Sequence, residues 1–188
     1  MQANVWGKCV SKKEKDGPNS TILGAAGEHY VMCQLLRRNM IAALAPTGVP
    51  NADIVVTDKL GDRLCAVQVK VRRDIGSDGG WHMGQKHETL TSPNLFYCFV
   101  DFGKSLTDQP KTWVVPSEIV ANSLQKIHQN WLSTPGAKGQ QRNDSTFRRF
   151  MPDYEPLADY KFGWLNRYFE NWSSLEAASK GAAEHQSA

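Results

Sequence analysis

Residues 64–72 read LCAVQVKVR and alternate strictly: Cys65, Val67, Val69 and Val71 on one side, Leu64, Ala66, Gln68 and Lys70 on the other. A repeat of two is the period of a β-strand, and the β-branched residues suit the interior of a sheet. An amide and an ammonium side by side on a buried strand cost free energy unless something binds them. The preceding residues, NADIVVTDKLGD, add a strand at 52–58 and a turn at Lys59-Leu60-Gly61-Asp62, so that 63–72 closes a hairpin. Asp53 opens the first strand, and its carboxylate therefore falls near Gln68 across the hairpin.

The rest of the chain supplies what such a hairpin packs against. STILGAAGEHYVMCQLLRRN (20–39) predicts the strongest helix, capped by Ser20 or Thr21 and closed by Arg37 and Arg38, whose charges suit the C-terminal end of the dipole. Its face spaced i, i+3, i+4, i+7, i+8 carries Glu28, Val31, Met32, Leu35 and Leu36, with Gly24 and Ala25 extending it backwards. Glu28 is the only charge in that stripe; it either bends to solvent or serves a site. MIAALAP predicts a short strand ended by Pro46, and 73–93, with four glycines, an extended loop. NLFYCFVDF and KTWVVP predict buried strands, and SEIVANSLQKIHQNWL a helix begun by Ser117. A polar basic loop containing Lys138, Arg142, Arg148 and Arg149 follows, then a helix around FGWLNRYFENW. The order helix, strand, hairpin, strand, strand, helix predicts an α/β fold with a central mixed β-sheet flanked by helices.

The 188 residues suffice for one core, here expected over 21–172, with a loose basic arm at 1–20 and a weakly helical or frayed tail from Ser173 to 188. The formal charge of +3 is compatible with a polyanionic partner without demanding one. Cys9, Cys33, Cys65 and Cys98 form no CxxC pair, which argues against a thiolate metal site and fits a reducing, cytoplasmic setting. The N-terminus lacks the apolar run of a secretory signal, and no segment has the length of a membrane span. Walker, dinucleotide, HExxH and nucleophile-elbow signatures are all missing.

Taken as structure, Lys70 with Asp53 or Glu28 is an ion pair at a sheet edge, which adds little net stability because desolvation offsets the attraction. Taken as chemistry, two carboxylates and an amide carbonyl are hard oxygen donors of the kind Mg²⁺ prefers. A cation held there polarises a phosphoryl oxygen and acidifies a bound water, and a lysine two residues along steadies the phosphate charge. Glu28 on a leading helix, then Asp53, then Gln68-Val69-Lys70, resembles the PD-(D/E)XK nuclease superfamily. That group includes restriction endonucleases, archaeal Holliday-junction resolvases and homing endonucleases.

The resemblance covers roughly residues 20–130 and implies the restriction endonuclease-like fold and hydrolysis of DNA phosphodiester bonds. It implies Mg²⁺ or Mn²⁺ held by Asp53, Gln68, the Val69 main-chain carbonyl and Glu28, with Lys70 as the catalytic lysine. Two departures stand out. Pro50 precedes Asp53 by three residues, and Gln68 replaces the usual acid, removing one negative charge. Arg72, Arg73, Trp81, His82, Lys86 and His87 are candidates for contact with nucleic acid, Trp81 by stacking on an unpaired base or else as a core plug. A zinc site at His82 and His87 lacks further ligands nearby. The alternatives to a DNA endonuclease are a non-cleaving nucleic-acid-binding module on the same fold, and a structural domain in which Asp53–Lys70 is only an ion pair. Cutting both strands of a duplex further implies a homodimer.

Overall fold

A computed structural model describes residues 19–57, 61, 64–74 and 79–180. The chain runs through α1 (Ser20–Arg37), β1 (Ile41–Leu44), β2 (Ile54–Thr57), β3 (Leu64–Arg72), β4 (Trp81–Gly84), β5 (Leu95–Asp101) and β6 (Lys111–Pro116). It continues with α2 (Ser117–Ser133), β7 (Phe147–Phe150) and α3 (Ser173–Lys180), and 3-10 turns occupy Gln85–Glu88, Ala158–Tyr160 and Trp164–Tyr168. The main sheet has the order β1-β2-β3-β5-β6, with β3 and β5 parallel and the other neighbours antiparallel. This is the expected mixed α/β architecture, a five-stranded mixed sheet flanked by helices.

The two faces of the sheet carry two cores. The valines of β3 with Val31 and Leu35 of α1, Phe96, Cys98 and Val114 fill one; Tyr97, Phe99 and Val115 with Val120 and Leu124 of α2 fill the other. Gln68 and Lys70 point into the second, as the period-two alternation requires. On the first face, α1 approaches β3 at Gly27, where an added Cβ would lie 2.1 Å from the Val71 Cγ2 atom. That contact rotates the helix from its expected face. Gly27, Val31 and Leu35 are buried, whereas Leu36 is half exposed and Ala25 exposed. The N-cap is Asn19, whose Oδ1 accepts the Thr21 N–H at 2.9 Å, rather than Ser20 or Thr21.

Three local expectations give way. The glycine-rich 73–93 segment and the basic loop each contribute a strand, β4 and β7, which pair as a separate antiparallel ribbon, Trp81 opposite Phe150. Each is four residues long and finds its partner only in the fold, so neither shows in a local window. FGWLNRYFENW is no α-helix: Gly163 and Glu170 take positive φ, a 3-10 turn lies between them, and Phe169 bridges Trp113. The tail, read as weakly helical or frayed, is helical at α3, which places Leu175 in the first core beside Trp172. The arm at 1–18, most of the hairpin turn and residues 181–188 lie outside the described residues.

Candidate functional site

The pairing of β2 with β3 ends at Ile54 opposite Val67, while β3 continues five residues further alongside β5. Beyond that point the backbone of β3 faces an open fork on the β2 side. Asn51, in the left-handed region at φ 67°, turns the chain so that Asp53 sits at the fork. The Asp53 N–H donates to the Val67 carbonyl at 2.9 Å, and its own carbonyl accepts the Ala45 N–H at 2.8 Å. So anchored, the Asp53 Oδ2 accepts the Val69 N–H at 2.7 Å and a hydrogen bond from the Gln68 amide. The carboxylate satisfies a strand N–H that has lost its neighbour. Since N–H and C=O of a strand residue point the same way, the Val69 carbonyl opens onto the same fork.

Glu28 reaches this place from the opposite layer. Close seating of Gly27 on Val71 brings the next residue of α1 to the rim of β3. Partial burial raises the Glu28 pKa, and the Asp53 carboxylate raises it further, with His29 and Lys70 acting in the other direction. Lys70 is largely enclosed. Burial lowers its pKa, while Asp53 opposes that, Lys86 adds to it, and Glu28 opposes it again. Residues 28, 53, 68 and 70, scattered in sequence, thus share one electrostatic environment.

Beneath Lys70 lies a pair that the sequence did not identify as one. Tyr97 stands opposite Gln68 in the parallel register and is fully buried. Its hydroxyl lies 2.8 Å from the His87 Nδ1, and burial followed by the Asp53 charge keeps that hydroxyl protonated. His87 is 3% exposed; burial, Lys70 and then Lys86 push its pKa down to about 4, so it is neutral at physiological pH. Tyr97 lies within the apolar run LFYCFVD, and only the register of β5 shows that it shares a face with Gln68.

The six residues expected at nucleic acid divide. Trp81 is 1% exposed, donates its indole N–H to the Val100 carbonyl at 3.0 Å and packs on Phe99, so it is a core residue. His87 is enclosed as just described and presents no surface. Arg72 lies over the Trp81 ring, pairs with Asp101 at 2.8 Å and donates to the Gly79 carbonyl; these contacts fix the guanidinium inside the fold. Arg73 is half-buried and donates to the Lys104 carbonyl. Lys86 and His82 are exposed, Lys86 beside Lys70 with its Nζ 3.4 Å from the Asn51 Oδ1. In the basic loop, Arg148 is buried and paired with Glu88 at 2.5 Å.

The oxygens at the fork are those of the Asp53 carboxylate and the Val69 carbonyl, with the Glu28 carboxylate within electrostatic reach; the Gln68 amide turns its N–H toward Asp53. Those oxygens are a donor set for a hard dication rather than for zinc or copper. Among the described residues no cluster of three His, Cys, Asp or Glu side chains that could hold a metal ion forms. No described helix is long and apolar enough to cross a membrane.

No protein-family model matches the chain, and no curated protein matches by sequence. Among solved structures, the bacterial homing endonuclease I-Ssp6803I is similar, with a TM-score of 0.50, 13% identity, and coverage of 87% of this chain and 96% of that one. At that identity the likeness is one of fold, and the mixed sheet with its flanking helices is endonuclease-like.

Proposed function

We propose that this chain is a metal-dependent endonuclease that hydrolyses DNA phosphodiester bonds, with a Gln-x-Lys variant of the PD-(D/E)XK site. One observation carries the reading: where β2 stops and β3 runs on, Asp53 is bonded to both Gln68 and Val69, and its charge is felt by Glu28 and Lys70. The fold shared with a homing endonuclease supports it. Asp53, Gln68, the Val69 carbonyl and Glu28 would hold Mg²⁺ or Mn²⁺. When bound, such an ion polarises a phosphoryl oxygen and makes a water nucleophilic at neutral pH.

The chain's own groups do the rest. Lys70 brings a positive charge to the fork from a partly desolvated position, where it stabilises charge gathering on the phosphate. Lys86, exposed beside it, attracts the backbone of the DNA. His87 is neutral and turned to Tyr97, so it supports the floor under Lys70 instead of delivering a proton. Gln68 donating to Asp53 favours a second reading, a DNA-binding module that does not cut, because that amide presents a donor where a metal needs an oxygen.

Cleavage assays with Mg²⁺ or Mn²⁺ on duplex, branched and single-stranded DNA separate the two. Asp53→Ala and Lys70→Ala each abolish cutting under the first reading while circular dichroism reports an intact fold. Cutting that survives both substitutions sinks it. Salt-dependent DNA affinity with no cleavage in either metal supports the second.

A further inference from the structure

The two edges of the main sheet end differently. β6 is covered: Phe169 bridges Trp113, and the Glu170 N–H donates to the Thr112 carbonyl at 2.8 Å. β1 is open, with β2 as its only strand neighbour among the described residues. Its sequence, Ile41-Ala42-Ala43-Leu44, holds neither charge nor proline, two devices by which edge strands avoid association. Ile41 is 49% exposed and Leu44 38%.

The hydrogen bonds identify which groups of β1 are open. The Ala45 N–H donates to the Asp53 carbonyl at 2.8 Å, on the β2 side. Along an antiparallel strand, successive residues turn their main-chain groups to opposite sides, so Ile41, Ala43 and Ala45 face β2. The N–H and C=O groups of Ala42 and Leu44 therefore point outward, away from the sheet. What fits there is another strand with donors and acceptors at the same spacing.

We infer that this strand is β1 of a second copy of the chain, paired antiparallel about a two-fold axis at Ala43. Ala42 of each protomer then exchanges hydrogen bonds with Leu44 of the other. The sequence is self-complementary in that register: Leu44 lies opposite Ala42, and Ile41 opposite Ala45, so each large side chain meets a small one. Ala43 meets its own symmetry mate at the close spacing of the ladder, about 4.5 Å between Cα atoms, where a methyl group fits. Moving the axis to Leu44 would set Ala42 against Pro46, which has no N–H to give. A two-fold between antiparallel strands stands perpendicular to the sheet, so Gln68 and Lys70 of both copies lie on the same face. The pairing is independent of the endonuclease reading and rests on it only for its consequence: one dimer offers two forks to the two strands of a duplex.

Sedimentation equilibrium on the full chain, without metal or DNA, tests the pairing. The parent sediments at twice the chain mass at micromolar concentration. Ala43→Lys sets two ammonium groups face to face at the axis and weakens association about a hundredfold, and Ala43→Asp does the same with two carboxylates. Residue 43 is exposed in the single chain, so both variants keep the parent's circular dichroism. An equimolar mixture of the two restores the dimer, because opposite charges now meet. A parent that stays monomeric, or a dimer indifferent to both substitutions, overturns the inference. So do variants that dissociate singly and fail to recover when mixed, since Ala43 then does not face itself. A monomer in which the Ala42 and Leu44 amides are protected from hydrogen exchange overturns it too and assigns the edge to another part of this chain. A dimer lost in Ala43→Lys, in a chain that never cuts, leaves the pairing standing and removes the endonuclease. Duplex cutting by a monomeric parent does the reverse.

Discussion

The Val69 N–H donates to the Asp53 carboxylate across 2.7 Å, at the point where the ladder between β2 and β3 has run out. One side chain thereby closes a gap in the sheet and sets the position of the candidate site. The neighbours of Asp53 follow from that bond: Gln68 donates to the same oxygen, and the Val69 carbonyl opens beside it. A structural role and the proposed chemical role meet in one residue, so substitutions around the fork separate them better than removal of Asp53.

Gly27 offers the first such substitution. Alanine is the better helix former by about 1 kcal/mol, so an exposed Gly27→Ala change would stabilise α1. Here the new Cβ meets the Val71 Cγ2 at 2.1 Å, and β-branched valine, restricted at χ1, has little freedom with which to yield. Overpacking wins, with a net loss of about 2 kcal/mol by urea denaturation. Cleavage falls as well, because Glu28 moves with the helix. Adding Val71→Ala recovers part of both, and a strictly additive double mutant would show that the two residues do not touch in solution.

Gln68→Glu tests the fork as a cation site without requiring catalysis. The substitution turns a hydrogen-bond donor toward Asp53 into a second carboxylate. In EDTA at neutral pH it destabilises the chain by about 2 kcal/mol, the worth of a hydrogen bond to a charged group. Mg²⁺ then raises the melting temperature more than it does for the parent, since a third carboxylate now joins Asp53 and Glu28. Glu28→Gln acts oppositely. Burial and Asp53 already raise the Glu28 pKa, so neutralising it relieves repulsion and raises the metal-free melting temperature while lowering cleavage. Equal Mg²⁺ responses in the parent and both variants would place the cation elsewhere.

His87 gives the fold an acid-sensitive component. Its pKa falls from 6.5 to about 4 on folding, through burial first and then Lys70 and Lys86. The unfolded chain therefore binds the extra proton more readily between those values. The associated stability is complete above pH 6.5 and drains as pH drops through about 4. The amount is on the order of 3 kcal/mol at the acid end. His87→Gln keeps a partner for the Tyr97 hydroxyl and removes the titration. Denaturation across this window then shows a flatter acid limb; an unchanged limb would mean that other groups carry the dependence.

What could be read from the residues alone was what depends on local period. Strict alternation over 64–72 set Gln68 and Lys70 on one face, because successive side chains of a strand must point to opposite sides. Ser117 after Pro116 marked the start of α2, and apolar runs marked β5 and β6. Helical spacing found α1 but missed its rotation, since Gly27 has no side chain to register in a hydrophobic pattern and matters only through Val71. The pairing of Trp81 with Phe150, the burial of His87 against Tyr97, and the capture of Arg72 by Asp101 and the Trp81 ring were decided by the tertiary structure. Each depends on strand pairing and register that the fold sets, even where the partners are only ten residues apart, as His87 and Tyr97 are. Whether a tryptophan, histidine or arginine meets solvent or core is set by that pairing, which local period does not reveal.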